Sequence, residues 1–396
     1  MQWSGYREVW SHPAVRQASI WGLVGKAPWF GAGILLTLHV VDGLGQTYAA
    51  AGLITGVFTV SLGLSSPWRG RLLDTIGLRR TLAPSLIVLP IVFLIAPFAN
   101  YWVLLVGMTV VGALAVPWFV LTRQMIIAAV PVDHRRTAIA LDSILSEVSF
   151  IVGPVFAVLA AVWWDTRWAL LVFTLLSMVG AAALAWANPP LTPPGTNPAN
   201  PAPGRRSVRA WMSIPVITTF IASVAVAFAL SGMDLSIVAA TRDMDATPML
   251  AVVLATWGAG SLIGGLLYGG TRPGTVSLTF LVGGLSVTTL LGALGVTWWL
   301  LAALMTVAGL FVAPTLSAAS ERLSHAVVEE YRGEAFGWQG TCSTIGNAMA
   351  PPLVGWTLDH LGWQEGFLVT GGAALALAAV GWCALTVVRR VRRPAA

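Results

Sequence analysis

The chain has 396 residues, of which 57% are hydrophobic and 10% charged, with 41 Gly, 19 Trp and a formal net charge of +6. A soluble core of this length has no use for so much apolar surface. The arginines are scattered between apolar runs and make no basic face with interleaved aromatics, which argues against a nucleic-acid partner.

Apolar runs of about 18 to 25 residues, each able to cross roughly 30 Å of hydrocarbon as a helix, recur along the chain. The first follows a polar start carrying Arg7, Glu8, His12 and Arg16. No small-residue cleavage site follows that run, so it reads as a first span and not as a signal peptide, with the mature chain beginning at Met1. In order, the predicted spans are 18–41, 47–67, 80–98, 101–124, 137–162 and 167–187, then 213–240, 248–269, 275–296, 298–320, 333–357 and 365–388. The stretch between the sixth and seventh spans, Asn188 to Gly204, is rich in Pro and Asn and reads as a linker. The expected fold is an all-α membrane protein of 12 transmembrane helices in two pseudo-symmetric six-helix bundles, 1–187 and 213–396, joined by a cytoplasmic linker, 188–212.

Lys and Arg counts predict the orientation. Of 22 such residues, Arg167 and Arg242 fall in loops assigned to the outside and Lys26 lies within span 1; the others sit at the termini and in the even-to-odd connections. Both termini are therefore expected in the cytoplasm, in a multi-pass protein of the inner (cytoplasmic) membrane. Cys342 and Cys383 both fall inside spans, where neither a disulfide nor a metal site is expected.

The halves repeat at an offset of 197 residues: Met108-Thr109-Val110 against Met305-Thr306-Val307, Gly112 against Gly309, Pro117 against Pro314. The register continues with Arg135 against Arg332, Ser146 against Ser343, Pro154 against Pro351 and Gly77 against Gly274. Shared apolar composition does not keep Gly, Pro and Arg in step across two helices and a loop, so a duplication is inferred. Parallel repeats of this kind rock about a central cavity in many transporters.

Between spans 2 and 3, Gly70-Arg-Leu-Leu-Asp74-Thr-Ile-Gly77-Leu-Arg79-Arg80 resembles the signature loop G-x-x-x-D-[RK]-x-G-[RK]-[RK] of the major facilitator superfamily. The resemblance implies the twelve-helix transporter fold, with Asp74 latching the bundles on the cytoplasmic side and Arg123, at the inner end of span 4, as its partner. Gly70 is expected to let helices approach and Gly77 to turn the chain. Thr75 replaces the first basic residue of the signature, and the second-half copy between Gly264 and Gly274 lacks the acid. Gly153-Pro154 in span 5 resembles the glycine-proline hinge of antiporters. Met108 stands where many proton-coupled drug exporters of the family carry an arginine. The runs Ala138 to Pro154 and Gly333 to Gln339 resemble actinobacterial exporter-like permeases.

Ionisable groups at membrane depth are costly unless they line a cavity or pair. In span 5, Asp142, Ser143, Ser146, Glu147, Ser149 and Gly153 share about half of the helix circumference. At 1.5 Å per residue, Glu147 lies about 13 Å inside the cytoplasmic end and Lys26 about 10 Å, so the two are expected to pair or to be parted by a proton or solute. Asp142, nearer the end, reads as a solvated or arginine-paired group. Asp234 in span 7 is expected to complement Glu147 as a cavity acid, the alternative being a cap near Ser231 and Ser236. Gln339, Ser343 and Asn347 recur at i, i+4, i+8 in span 11, suited to the cavity or to helix packing. Trp29, Phe30, Trp118 and Trp338 are candidates for stacking against cargo. Trp102, Trp163, Trp164, Trp168, Trp298, Trp299 and Trp363, at span ends, read as interfacial anchors.

The leading expectation is proton-coupled efflux of a small organic compound by an antiporter that works by alternating access, as a monomer with the bilayer, protons and a small solute as partners. Uptake or facilitated diffusion of a metabolite such as a sugar or organic acid is the alternative. No phosphate loop, metal cluster or nucleophile-base pair is apparent, so neither an enzyme nor a bound cofactor is expected, and no connection is long enough for a nucleotide-binding domain.

Overall fold

The computed structural model describes residues 3–131, 134–189, 211–271, 275–328 and 331–391. Its elements are α-helical, with no strand among those residues. A short helix, α1 (Trp3–Ser11), precedes α2 (Pro13–Leu38), which runs into a π-helical turn at His39–Gly43. There follow α3 (Tyr48–Ile76), α4 (Leu78–Ile95), α5 (Tyr101–Leu114), α6 (Trp118–Ala128), α7 (Arg135–Trp163) and α8 (Thr166–Ala187). The second half holds α9 (Ile214–Asp243), α10 (Leu250–Gly269), α11 (Leu278–Leu291), α12 (Trp298–Ala326), α13 (Arg332–His360) and α14 (Trp363–Val391). With α5 and α6 counted as one span, α2 to α14 give the twelve expected crossings.

Among the described residues ten stretches are long and apolar enough to cross a membrane, and a shorter apolar helix covers Leu278–Leu294. The remaining span, α13, has 29 residues. Its Gly, Gln, Ser and Asn dilute the apolar character without shortening the helix.

Helix boundaries keep the sequence repeat. Adding the offset of 197 to the starts of α5, α7 and α8 lands on the starts of α12, α13 and α14, and adding it to Trp163 lands on His360.

Four expectations about the elements are corrected. The polar N-terminal stretch contributes α1, which packs on α2 and α7. Span 2 runs nine residues further than expected, so Gly70 sits in the last turns of α3 and not in a loop; a Cβ there would meet nothing within 4 Å, and Gly70 therefore serves no close approach. The connection from α3 to α4 is Gly77 alone, held at φ 79°, a left-handed conformation suited to glycine. Span 4 is not continuous: Ala115, at ψ 140°, turns the chain out of the helix before Pro117.

The break in span 4 is satisfied by its neighbours. Ser85 of α4 donates to the Leu114 carbonyl at 2.7 Å, and the Ser65 hydroxyl of α3 is shared between its own Leu62 carbonyl at 3.1 Å and the Gly112 carbonyl at 3.4 Å. Arg69, 3% exposed, donates through Nη2 to Ser85 Oγ at 2.8 Å and to the Thr81 carbonyl at 3.4 Å. Its second-half counterpart behaves differently. Pro314 stands inside an unbroken α12, and the carbonyl four residues before it, Leu310, is covered by Gly264 of α10, where a Cβ would come within 2.1 Å.

The chain divides into two compact units, Met1–Leu44 with Ser61–Gly204, and Gly45–Val60 with Arg205–Ala396. In the first, α2 packs on α6, α7 and α8. Gly153 lets α7 come close to the backbone of α2, since a Cβ there would lie 2.1 Å from the Ala27 carbonyl. In the second, α9 packs on α13 and α14, and α10 on α12. Within that unit Asp359 accepts from the backbone N–H groups of Tyr48 and Ala49 at 2.8 and 2.7 Å, which caps the start of α3.

Candidate functional site

The first unit buries a charged cluster between α2, α6 and α7. Lys26 Nζ donates to Asp142 Oδ1 at 3.0 Å and to Ser146 Oγ at 2.9 Å. Both ions are sealed, with side chains 2% and 1% exposed. The Thr122 hydroxyl donates to the same carboxylate oxygen at 3.0 Å, and Arg123 Nε donates to Oδ2 at 3.3 Å. Asp142 and Ser146 are one helical turn apart and so face α2 together. Lys26 also lies 5.5 Å from the centre of the Phe119 ring, within cation–π range.

The expected pair of Lys26 with Glu147 is therefore corrected: Lys26 pairs with Asp142. Of the two expected readings of Asp142 the arginine-paired one holds and the solvated one does not: it is buried and engages Arg123 and Lys26 together. The polar stripe of α7 is split, with Asp142, Ser146 and Ser149 buried and Ser143 and Glu147 on the open side. Glu147 is half-buried, and among the described residues its carboxylate has no hydrogen-bond or ion partner. Comparable depth was the wrong criterion; the angle around the helix decides which carboxylate meets the lysine.

Phe30, Phe119 and Phe150 form an aromatic group, with Phe30 on Phe150 at 3.9 Å and Phe119 on Phe150 at 5.7 Å between ring centres. Trp118, expected to face cargo, is instead 2% exposed, and its ring fills the notch left by Gly25, where a Cβ would fall 2.0 Å from it. Trp29 is half-buried in α2. Arg79 caps the end of α8, donating to the Ala185 and Trp186 carbonyls at 2.9 and 2.7 Å. Arg80 is exposed at the start of α4. The Asp74 side chain lies outside the described residues. Arg123, its expected partner, is engaged by Asp142. Pro154 follows Gly153 within a continuous α7.

In the second unit Asp234 is half-buried in α9 and, among the described residues, has no hydrogen-bond or ion partner. The alternative capping role is not realised: Asp234 accepts no hydrogen bond from the described residues, and the nearby hydroxyls are turned elsewhere, Ser231 to Asn347 Oδ1 at 2.8 Å and Ser236 to the Gly232 carbonyl at 2.9 Å. Gln339 Nε2 donates to Ser223 Oγ at 3.3 Å. Gln339 and Asn347 thus tie α13 to α9. Ser343 is half-buried between them and Trp338 is 45% exposed. Trp363 is no interfacial anchor: it is buried and donates from Nε1 to Asp243 at 3.0 Å.

Under the offset of 197, Lys26 corresponds to Ser223 and Asp142 to Gln339. The same helix–helix contact therefore carries an ion pair in one half and a neutral hydrogen bond in the other, which the repeat makes visible once either pair is known. Sequence reasoning also missed Arg69, whose placement in the polar end of span 2 made it look like one more inside-facing arginine.

These features define a multi-pass α-helical membrane protein with a buried ionic cluster and, among the described residues, two carboxylates without a partner inside apolar helices. The sequence model of the Major Facilitator Superfamily matches residues 23–271 and 249–396. The chain belongs to that superfamily and is a membrane transporter, not an enzyme. A stretch of 116 residues is 28% identical to the staphylopine export protein of Staphylococcus aureus; the match covers 29% of each protein, so the chain spans less than a third of that relative's length. The fold is similar to that of the nucleoside transporter NupG, with a TM-score of 0.72 at 14% identity, covering 94% of this chain and 99% of that one. It is similar also to a bacterial homologue of the human lysosomal transporter Spinster in its inward-facing, occupied conformation, with a TM-score of 0.72 at 13% identity over 96% and 98% of the chains.

Proposed function

We propose that the protein exports a small organic compound across the cytoplasmic membrane in exchange for protons, by alternating access, with both termini in the cytoplasm. The observation that carries this is the pair of half-buried carboxylates without a protein partner among the described residues, Glu147 in the first unit and Asp234 in the second. An ionisable group held at membrane depth without a counter-charge is costly, and exchange of a proton for cargo gives it a function. The export relative supports the outward direction. The two repeats, 1–187 and 213–396, act as the moving parts, and 188–212 as their linker.

Efflux from proteoliposomes with and without an imposed pH gradient tests this. Glu147→Gln and Asp234→Asn are each expected to abolish gradient-driven flux while exchange without a gradient continues. Flux that ignores the pH gradient, or that survives both substitutions, refutes proton exchange at these acids.

A further inference from the structure

We infer that the cargo is amphoteric, its carboxylate taken by Arg123, its ammonium group by Glu147, and its apolar body by Phe119 and Phe150. This rests on the transport reading above and names the class of compound for that site.

Asp142 carries a single negative charge and faces two cations. Lys26 is sealed against it, so the surplus positive charge belongs to Arg123, whose side chain is 48% exposed and bonds to Asp142 through Nε. The two terminal nitrogens of the guanidinium are the fork that grips a carboxylate in bidentate fashion. Phe119 lies four residues before Arg123 on the same face of α6 and is 42% exposed. Phe150, 46% exposed, stacks beside it.

On α7, Ser143, Glu147 and Phe150 lie at i, i+4 and i+7 and share one side of the helix. Ile144, Val148 and Phe156 are exposed on the other, as a lipid-facing surface is. Charged groups at this depth do not face lipid, so the side holding Arg123 and Glu147 is wetted. Asp142 and Glu147 are about 7.5 Å apart along the helix axis. Arg123 meets Asp142 and Phe119 meets Phe150, so α6 lies along the stretch of α7 within which Glu147 falls. An ammonium group on Glu147 competes with a proton for the same carboxylate, which is the competition that exchange transport requires.

Equilibrium dialysis of the full chain in phosphatidylcholine nanodiscs, with empty discs subtracted and no pH gradient, tests the assignment. The probes are L-phenylalanine, N-acetyl-L-phenylalanine, which lacks the cation, and L-phenylalaninamide, which lacks the anion. Phenylalanine is expected to bind at least tenfold more tightly than either. Arg123→Gln removes its advantage over the amide, and Glu147→Gln removes its advantage over the acetyl compound. Arg123→Lys keeps the order of preference and guards against a folding failure of Arg123→Gln. Equal binding of the three probes, or an order unchanged by either neutral substitution, overturns the assignment while leaving proton coupling to the flux experiment. Phosphatidylethanolamine offers beside its phosphate a primary ammonium that phosphatidylcholine lacks, so loss of phenylalanine binding in discs of that lipid assigns the groups to a headgroup and likewise overturns an amphoteric cargo.

Discussion

Lys26 has given up its hydration and is stable through one carboxylate and one hydroxyl. Removing one partner of such a pair strands the other, at a cost of about 3–5 kcal/mol. Asp142→Asn is therefore expected to lower the thermal unfolding midpoint of the purified protein sharply. Replacing both ions together, as Lys26→Met with Asp142→Leu, is expected to recover most of that loss, and a double variant as unstable as Asp142→Asn contradicts this account. That an ionic site existed in span 5 was legible, because acids and serines interrupted an apolar run. Which acid met the lysine was not, since Asp142 and Glu147 differ less in depth than in direction, and direction depends on how α2 is rotated against α7.

Glycines make the same distinction at the scale of helices. Gly153 and Gly70 both sit in helices, yet a methyl group at Gly153 would strike the Ala27 carbonyl and at Gly70 would meet open space. Gly153→Ala is expected to destabilise the protein by about 1–3 kcal/mol through forced separation of α2 and α7. Gly70→Ala is expected to be neutral or to stabilise by up to about 1 kcal/mol, since alanine restricts the unfolded chain more. Thermal unfolding of the two variants side by side checks both signs. Two separate sequence motifs named these glycines but not this difference, which comes from what stands opposite each one. Likewise Pro117 and Pro314 are repeat counterparts, and reading the spans alone gives no reason why one ends a helix and the other does not.

Across the whole molecule the duplication is what the sequence displayed most clearly, and the shared starts of α5 and α12, α7 and α13, and α8 and α14 express it in the fold. Equivalent positions have nevertheless diverged in charge, as Lys26–Asp142 against Ser223–Gln339 shows. The second-half contact is therefore a host for the first-half pair. Ser223→Lys and Gln339→Asp are each expected to destabilise the protein, and together to cost less than their sum, with a favourable coupling of about 0.5–3 kcal/mol. A double-mutant cycle on unfolding midpoints measures it, and strict additivity means that the two contacts differ in geometry.

The fractured fourth span has a corollary in the second copy. The three side chains that splint it, Ser65, Arg69 and Ser85, have Leu262, Leu266 and Val282 as their counterparts at the same offset, all of them greasy. The intact tenth span exposes no comparable stumps of backbone, so nothing in that half obliges those sites to be polar. The mended fracture thus gives polar side chains on two helices, α3 and α4, a task in the first copy that the unbroken span of the second copy does not set its apolar counterparts.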